Sequence, residues 1–514
     1  MDASDSDSAR FAKKLYLSCS DSVSRQSAGL KPLRELLRNV PCGPIYKDCT
    51  NFNTSIYSWE RHAAMVASLL GQSNIIVADR SVHPNDSRRV ILSLSPPDLT
   101  SLLGPIESDL ARSAQANSDE YNRLLVTAVK QRLLNEPTQS LLYTDPVENR
   151  DLVDEVADFM ISLHKARLPS EAKSAMRRNE YRITLDQRAL TSRYSEIDWT
   201  AFFNAELNSA LRVNESDLII VEDQFYFRTL ANIIRGRPAR AVADYLTLMT
   251  VISLKALLPS DYQSSSIINS ATSSASSWRL CVDQMMRFEP TMKIYLDEYV
   301  NAKQRNDLTL LANDIRSAFL KVLPVSSEEN FYNTRNVQFK IAASNRILTG
   351  QASATYDKIN FNASDYFTTY VNAMKQQRNE EIHQIGTSMQ PDDSPHFPSL
   401  ASASIFYDAD ENSVIIPAST LQPPFILPSE NAPKYTVFAT MGSFIGQALA
   451  SSVEDLSTNT TIACYQEKIN LVNRTGTSTA MQSQTTLSEI YATLRTSLGL
   501  EAALQAYHQF LSNA

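Results

Sequence analysis

Residues 404–425 read SIFYDADENSVIIPASTLQPPF, and residues 442–455 read GSFIGQALASSVED. Two short apolar runs, Ala403–Tyr407 and Ser413–Ile416, flank the acidic segment Asp408–Asn412. That layout predicts two strands of a hairpin. Ile405 and Tyr407 would share one face, Ser404 and Phe406 the other. The second stretch is rich in alanine and leucine, both strong helix formers, and predicts a helix near Gly446–Asp455.

The same layout resembles the neprilysin and endothelin-converting-enzyme family of zinc metallopeptidases. Members carry N-A-[FY]-Y on an edge strand, then N-x-I-x-x-P-A-x-x-L-Q-x-P-F-F, then a glycine-spaced helix with G-H-E-x-x-H. Here the frame is kept, but H-E-x-x-H falls on Gln447, Ala448, Leu449, Ala450 and Ser451. Two histidines four residues apart share a helix face, so both imidazoles reach one zinc ion. The glutamate between them is the general base toward the zinc-bound water. Gln447 is a poor, neutral ligand, Ser451 is not a usual one, and Ala448 cannot take a proton. The resemblance therefore implies a scaffold without zinc, without any other cofactor and without catalytic residues.

Further positions follow from the resemblance. The substrate-binding Asn-Ala of the edge strand falls on Ser404 and Ile405, a remnant of the substrate cleft. Serine cannot supply the paired donor and acceptor of an amide. The third zinc ligand is the glutamate of G-E-N-x-x-D, and two registers are open. Keeping T-L-x-E puts Glu489 there, with Thr493 at the aspartate; aligning Gly499–Tyr507 without a gap puts Ala492 and Thr496 there instead. Weaker matches are Arg177–Tyr181, Ile197-Asp198-Trp199 and Pro238–Leu246, the last with Asp244 at an asparagine position. The implied fold is mainly α with a small β-sheet, two-lobed, with a truncated C-terminal lobe. Residues 1–60 form an N-terminal segment, 61–350 a helical domain and 351–514 the zincin-like domain.

No other metal site is legible. The six histidines, His62, His83, His164, His383, His396 and His508, include no close pair, and the cysteines form no C-x-x-C. Asp408, Asp410 and Glu411 lack the spacing and glycine of a calcium loop and read as a surface turn. Glu380–His383 reads as a solvated helix end, and Arg235–Arg240 as a basic turn capping a helix.

A net charge of −8 with no basic stripe argues against nucleic acid. Glycine is only 11 of 514 residues, against about 7% in ordinary proteins, which favours long helices over tight turns. Helical periodicity runs through Ser27–Leu37, Ile106–Leu134, Asp151–Leu168, Arg237–Leu258, Trp278–Lys303 and Asn362–Arg378. Ser264–Ser277 reads as a loop, Gln390–Pro398 as a break and Val90–Leu94 as a strand. No apolar run is long enough to span a membrane, and the acidic start does not read as a signal peptide. The resemblance implies an extracellular or membrane-tethered setting.

Of the five cysteines, Cys19, Cys42, Cys49, Cys281 and Cys464, at least one is left over in a monomer. By the resemblance, Cys42, Cys49 and Cys464 lack their C-terminal partners, and the partner of Cys281 falls on Ala114. Either the thiols stay reduced or the chain is a shortened product. The incomplete lobe is expected to leave Phe444, Ile445, Leu449 and Val453 partly uncovered, favouring self-association. Three functions stand side by side: an inactive homologue holding a peptide or protein partner in the remnant cleft, an active zinc endopeptidase, or a degenerate fragment.

Overall fold

The computed structural model describes residues 6–513 apart from breaks, the longest of them 111–118, 135–149, 264–276, 454–462 and 470–486. The serine-rich Ser264–Ser277 segment thus lies almost wholly outside the described residues, as do residues 111–118 of the Ile106–Leu134 stretch, which otherwise lies in the helices Thr100–Leu110 and Asp119–Leu134. What is described is mainly helical with two small sheets. The longer helices include Asp7–Ser20, Trp59–Leu70, Arg150–Ala166, Ala239–Leu254, Ala302–Val322, Tyr366–Gln384 and Leu487–Asn513. Their starts follow ordinary capping chemistry: Ser58 Oγ accepts from the Arg61 N–H, and Asn301 closes a capping box with Gln304.

The first sheet has the order β1 (Val77–His83), β2 (Asp86–Ser95), β4 (Leu218–Val221), β3 (Ile183–Asp186). Only part of β2 was legible as Val90–Leu94. The β2–β4 pair is parallel, and the other two pairs are antiparallel. The second sheet has the order β5 (Gln338–Ala342), β7 (Ser413–Pro417), β6 (Phe406–Asp408). β7 is the central strand, buried at every residue, as its unbroken Val-Ile-Ile run requires. The expected hairpin forms, with Phe406 opposite Ile415 and Asp408 opposite Ser413. Its turn is built by Asp408, whose Oδ1 accepts from the N–H groups of Asp410 (2.8 Å) and Glu411 (3.3 Å), and by Asn412 at φ 44°. The first strand starts at Phe406, so Ile405 precedes it rather than sharing its face with Tyr407.

Two hydrophobic cores organise these elements. One joins Phe11 through Phe288 with Tyr356 through Ile385. The other joins Met292 through Ile347 with Val414 through Ala506. The helix expected near Gly446 spans Ser443–Ala450 and continues a π-helical stretch, Phe438–Gly442. It crosses Leu487–Asn513 at Gly446 and Gly499, where a Cβ on either glycine would stand under 3 Å from the other helix's backbone.

Two expectations are corrected here. Ile445, Leu449 and Val453 are buried in the second core, because the Leu487–Asn513 helix closes over them; only Phe444 stays exposed. Cys281 pairs with Cys19, 262 residues away, not at position 114. Cys42 pairs with Cys49, and Cys464 is free and exposed.

Candidate functional site

A cavity of about 1020 Å³ opens between the hairpin and the Ser443–Ala450 helix. One wall is Ala403–Asp410, which includes β6, the edge strand of its sheet. The opposite wall is Phe444, Gln447, Ala448 and Ser451, and Ala492 and Arg495 come from the Leu487–Asn513 helix. Arg178, Tyr181 and His396 complete the lining. Helical spacing explains the second wall: residues 444, 447, 448 and 451 share one face.

The structure thus brings together Ser404, Ile405, Gln447, Ala448 and Ser451. It does not bring Glu489 to them. Glu489 sits one turn earlier and exposed, and Ala492 faces the cavity in its place. No histidine stands at Gln447, Ala448, Ser451 or Ala492, and Ala448 and Ala492 bear no donor atom. A zinc ion bound by protein needs three or four nitrogen, sulfur or carboxylate ligands, so this set does not fit one. Ser451 Oγ turns back instead to the carbonyl of Gln447, 3.4 Å away.

The turn at Asp408–Glu411 is not the solvated loop its composition suggested. Asp408 Oδ2 lies 2.5 Å from His396 Nδ1, and His396 Nε2 lies 3.1 Å from the carbonyl of Arg80. Burial would lower the pKa of His396, but Asp408 and Glu411 outweigh it and push it up to about 9. The imidazolium therefore donates at both nitrogens. Asp410 accepts from Arg178 (2.7 Å), Arg182 (2.8 Å) and Ser81 Oγ (3.1 Å). Glu411, almost wholly buried, meets Lys340 and Ser394. His396, Asp408 and Glu411 lie close enough to share a cation. Both ring nitrogens and both carboxylates are already engaged, so the cluster is an ion-pair network. Sequence spacing missed it because Lys340, His396 and the hairpin meet only through the fold.

Arg495 was also missed, since an arginine inside a helix is an ordinary helix former. It stands one turn beyond Ala492 on the same face. Its Nε is buried without a hydrogen-bond partner, and no carboxylate among the described residues lies within ion-pair distance. Burial lowers its pKa from the usual arginine value.

Comparison with known proteins gives one consistent family. A family model described as Peptidase family M13 matches residues 1–327. Membrane metallo-endopeptidase-like 1 of Homo sapiens is 21% identical over 476 residues, covering 89% of this chain and 60% of that protein. Neprilysin-21 of Caenorhabditis elegans is 21% identical over 473 residues, covering 87% and 58%. The chain spans about six-tenths of the length of these curated relatives. Among solved structures, the Mycobacterium tuberculosis zinc metalloprotease ZMP1 in complex with inhibitor matches with TM-score 0.73 at 14% identity, covering 98% of this chain and 76% of that one.

Proposed function

Because the chain belongs to peptidase family M13, we propose that it holds an extended peptide in the family's cleft and does not cleave it. The observation that carries this reading is the lining of one cavity by Gln447, Ala448, Ser451 and Ala492 beside an edge strand. An edge strand offers backbone donors and acceptors along which an extended peptide adds as a further strand. β6, Phe406–Asp408, walls the cavity together with Ala403, Ser404 and Ile405 just before it, and suits that role. Hydrolysis is a separate demand. It needs a metal or another activator of water, and a base in reach of that water. At the family's ligand and base positions, Gln447, Ala448, Ser451 and Ala492, the side chains are an amide, a hydroxyl and two methyl groups.

The cleft-remnant reading of Ser404 and Ile405 passes into this proposal; Glu489 does not, because it stands outside the cavity. The runner-up, a zinc endopeptidase of the family, needs a ligand set that these positions do not supply.

Hydrogen exchange tests the proposal. The chain is incubated with a pool of uncharged and charged hexapeptides, and backbone protection is followed. Protection is expected at 403–408, with every peptide recovered at full length. Absence of protection there, or shortened peptides, would contradict it.

A further inference from the structure

The cavity's charges do not cancel. It is lined by Arg178, Arg495 and His396 against Asp408 and Asp410. Asp408 is taken by His396 at 2.5 Å, and Asp410 by Arg178 and Arg182 at 2.7 and 2.8 Å. Each acid already has its partner. Arg495 is the charge left over, with no carboxylate of the described chain in reach.

Its place sharpens this. Arg495 shares a helix face with Ala492 and lines the same cavity as the edge strand, Gln447 and Ser451. Among the described residues, no carboxylate pairs with its guanidinium, whose Nε is buried without a partner; Tyr491, one turn earlier, is the group that acts on its charge. A planar five-donor fork lining an open cavity is suited to one carboxylate held by two parallel hydrogen bonds. Leaving such a group half-buried and unmatched is costly, and a ligand that supplies the missing acceptor recovers that cost.

We propose that Arg495 is a fixed cation in the cleft and selects peptides that place a carboxylate against it. This rests on the reading of the cleft as a peptide-holding groove. The carboxylate comes either from an Asp or Glu side chain of the peptide or from its C-terminus; both offer the same planar pair of oxygens.

The probes are three pools of N-acetylated hexapeptides bearing an uncharged fluorophore, built on otherwise uncharged residues. One has a single Glu and a C-terminal amide, the second has Gln in its place, and the third has Gln and a free C-terminal carboxylate. Binding is read by fluorescence anisotropy. The full chain is expected to prefer one carboxylate pool over the Gln-amide pool by about tenfold or more. Which pool wins identifies the source. The preference should collapse to about one in Arg495→Gln and return in part in Arg495→Lys. In the unaltered chain, added salt should erode affinity for the preferred pool and spare the neutral one; this arm needs no variant to fold. Equal binding of all three pools overturns the inference and leaves the groove reading standing. A preference that survives Arg495→Gln overturns it too. Binding of no pool overturns both.

Discussion

Asp244 is buried without any exposure where the family helix carries asparagine, and its two oxygens fare differently. Oδ1 accepts from the Ile45 N–H at 2.7 Å, while Oδ2 has no partner. The Gly43 N–H donates beside it to Thr247 Oγ1 at 2.8 Å. Burial, opposed by the Ile45 N–H, pushes the carboxyl up from 3.8 to about 7. An acid whose pKa is raised on folding contributes stability that is fully present below its unfolded value and lost as pH rises through its folded value. The window here is pH 4 to 8. Asp244→Asn keeps the acceptor and removes the titration. Its stability relative to the parent should therefore rise across that window, by up to about 4 kcal/mol. Urea unfolding at pH 4, 6 and 8 checks this, and a difference constant with pH would contradict it.

The crossing of Ser443–Ala450 over Leu487–Asn513 is the element on which the cavity depends. A Cβ at Gly446 would stand 2.7 Å from the Gly499 carbonyl oxygen, and one at Gly499 would stand 2.5 Å from the Gln447 nitrogen. Alanine improves helix propensity by about 1 kcal/mol, but forcing two backbones apart costs about 1–3 kcal/mol or more. Gly446→Ala and Gly499→Ala should each destabilise by roughly 2 kcal/mol in urea unfolding. Gly104→Ala is the contrast, since its Cβ would meet only Thr100 Cγ2 at 3.4 Å. It should be neutral or slightly stabilising, and equal effects at all three positions would refute the packing argument. This crossing was half legible. The alanine and leucine content announced a helix near Gly446, but its partner lies some fifty residues on and carries no local mark. The same holds for β2 and β4, which pair in parallel across a long separation, and for Cys19 with Cys281. Local pattern gave most of the helices and the β6–β7 hairpin, and the family resemblance gave the gathering of Ser404 with Gln447 and Ser451. Contacts distant in sequence, from the covering of Leu449 to the placing of Arg495, left no trace in it, while Ala492 was one of the two registers that the resemblance held open.

At the scale of the molecule, the two cores meet through charged contacts at the cavity's edge. Asp410, in the hairpin turn, holds Arg178 and Arg182 beside the first sheet, and Ser81 on β1 donates to it. Removing one partner of a largely buried ion pair typically costs about 3–5 kcal/mol. Asp410→Asn is expected to cost about 3 kcal/mol and to loosen the joint, seen as a larger radius of gyration in X-ray scattering with unchanged helix content. An unchanged scattering curve would show that the apolar packing alone sets the geometry. The central claim is that this M13 cleft holds no metal. Its most direct test is native mass spectrometry of the purified chain after equilibration with micromolar zinc and removal of loosely held ions. The expected result is the mass of the chain alone. A single zinc retained per chain, and stripped by a chelator, would contradict the account.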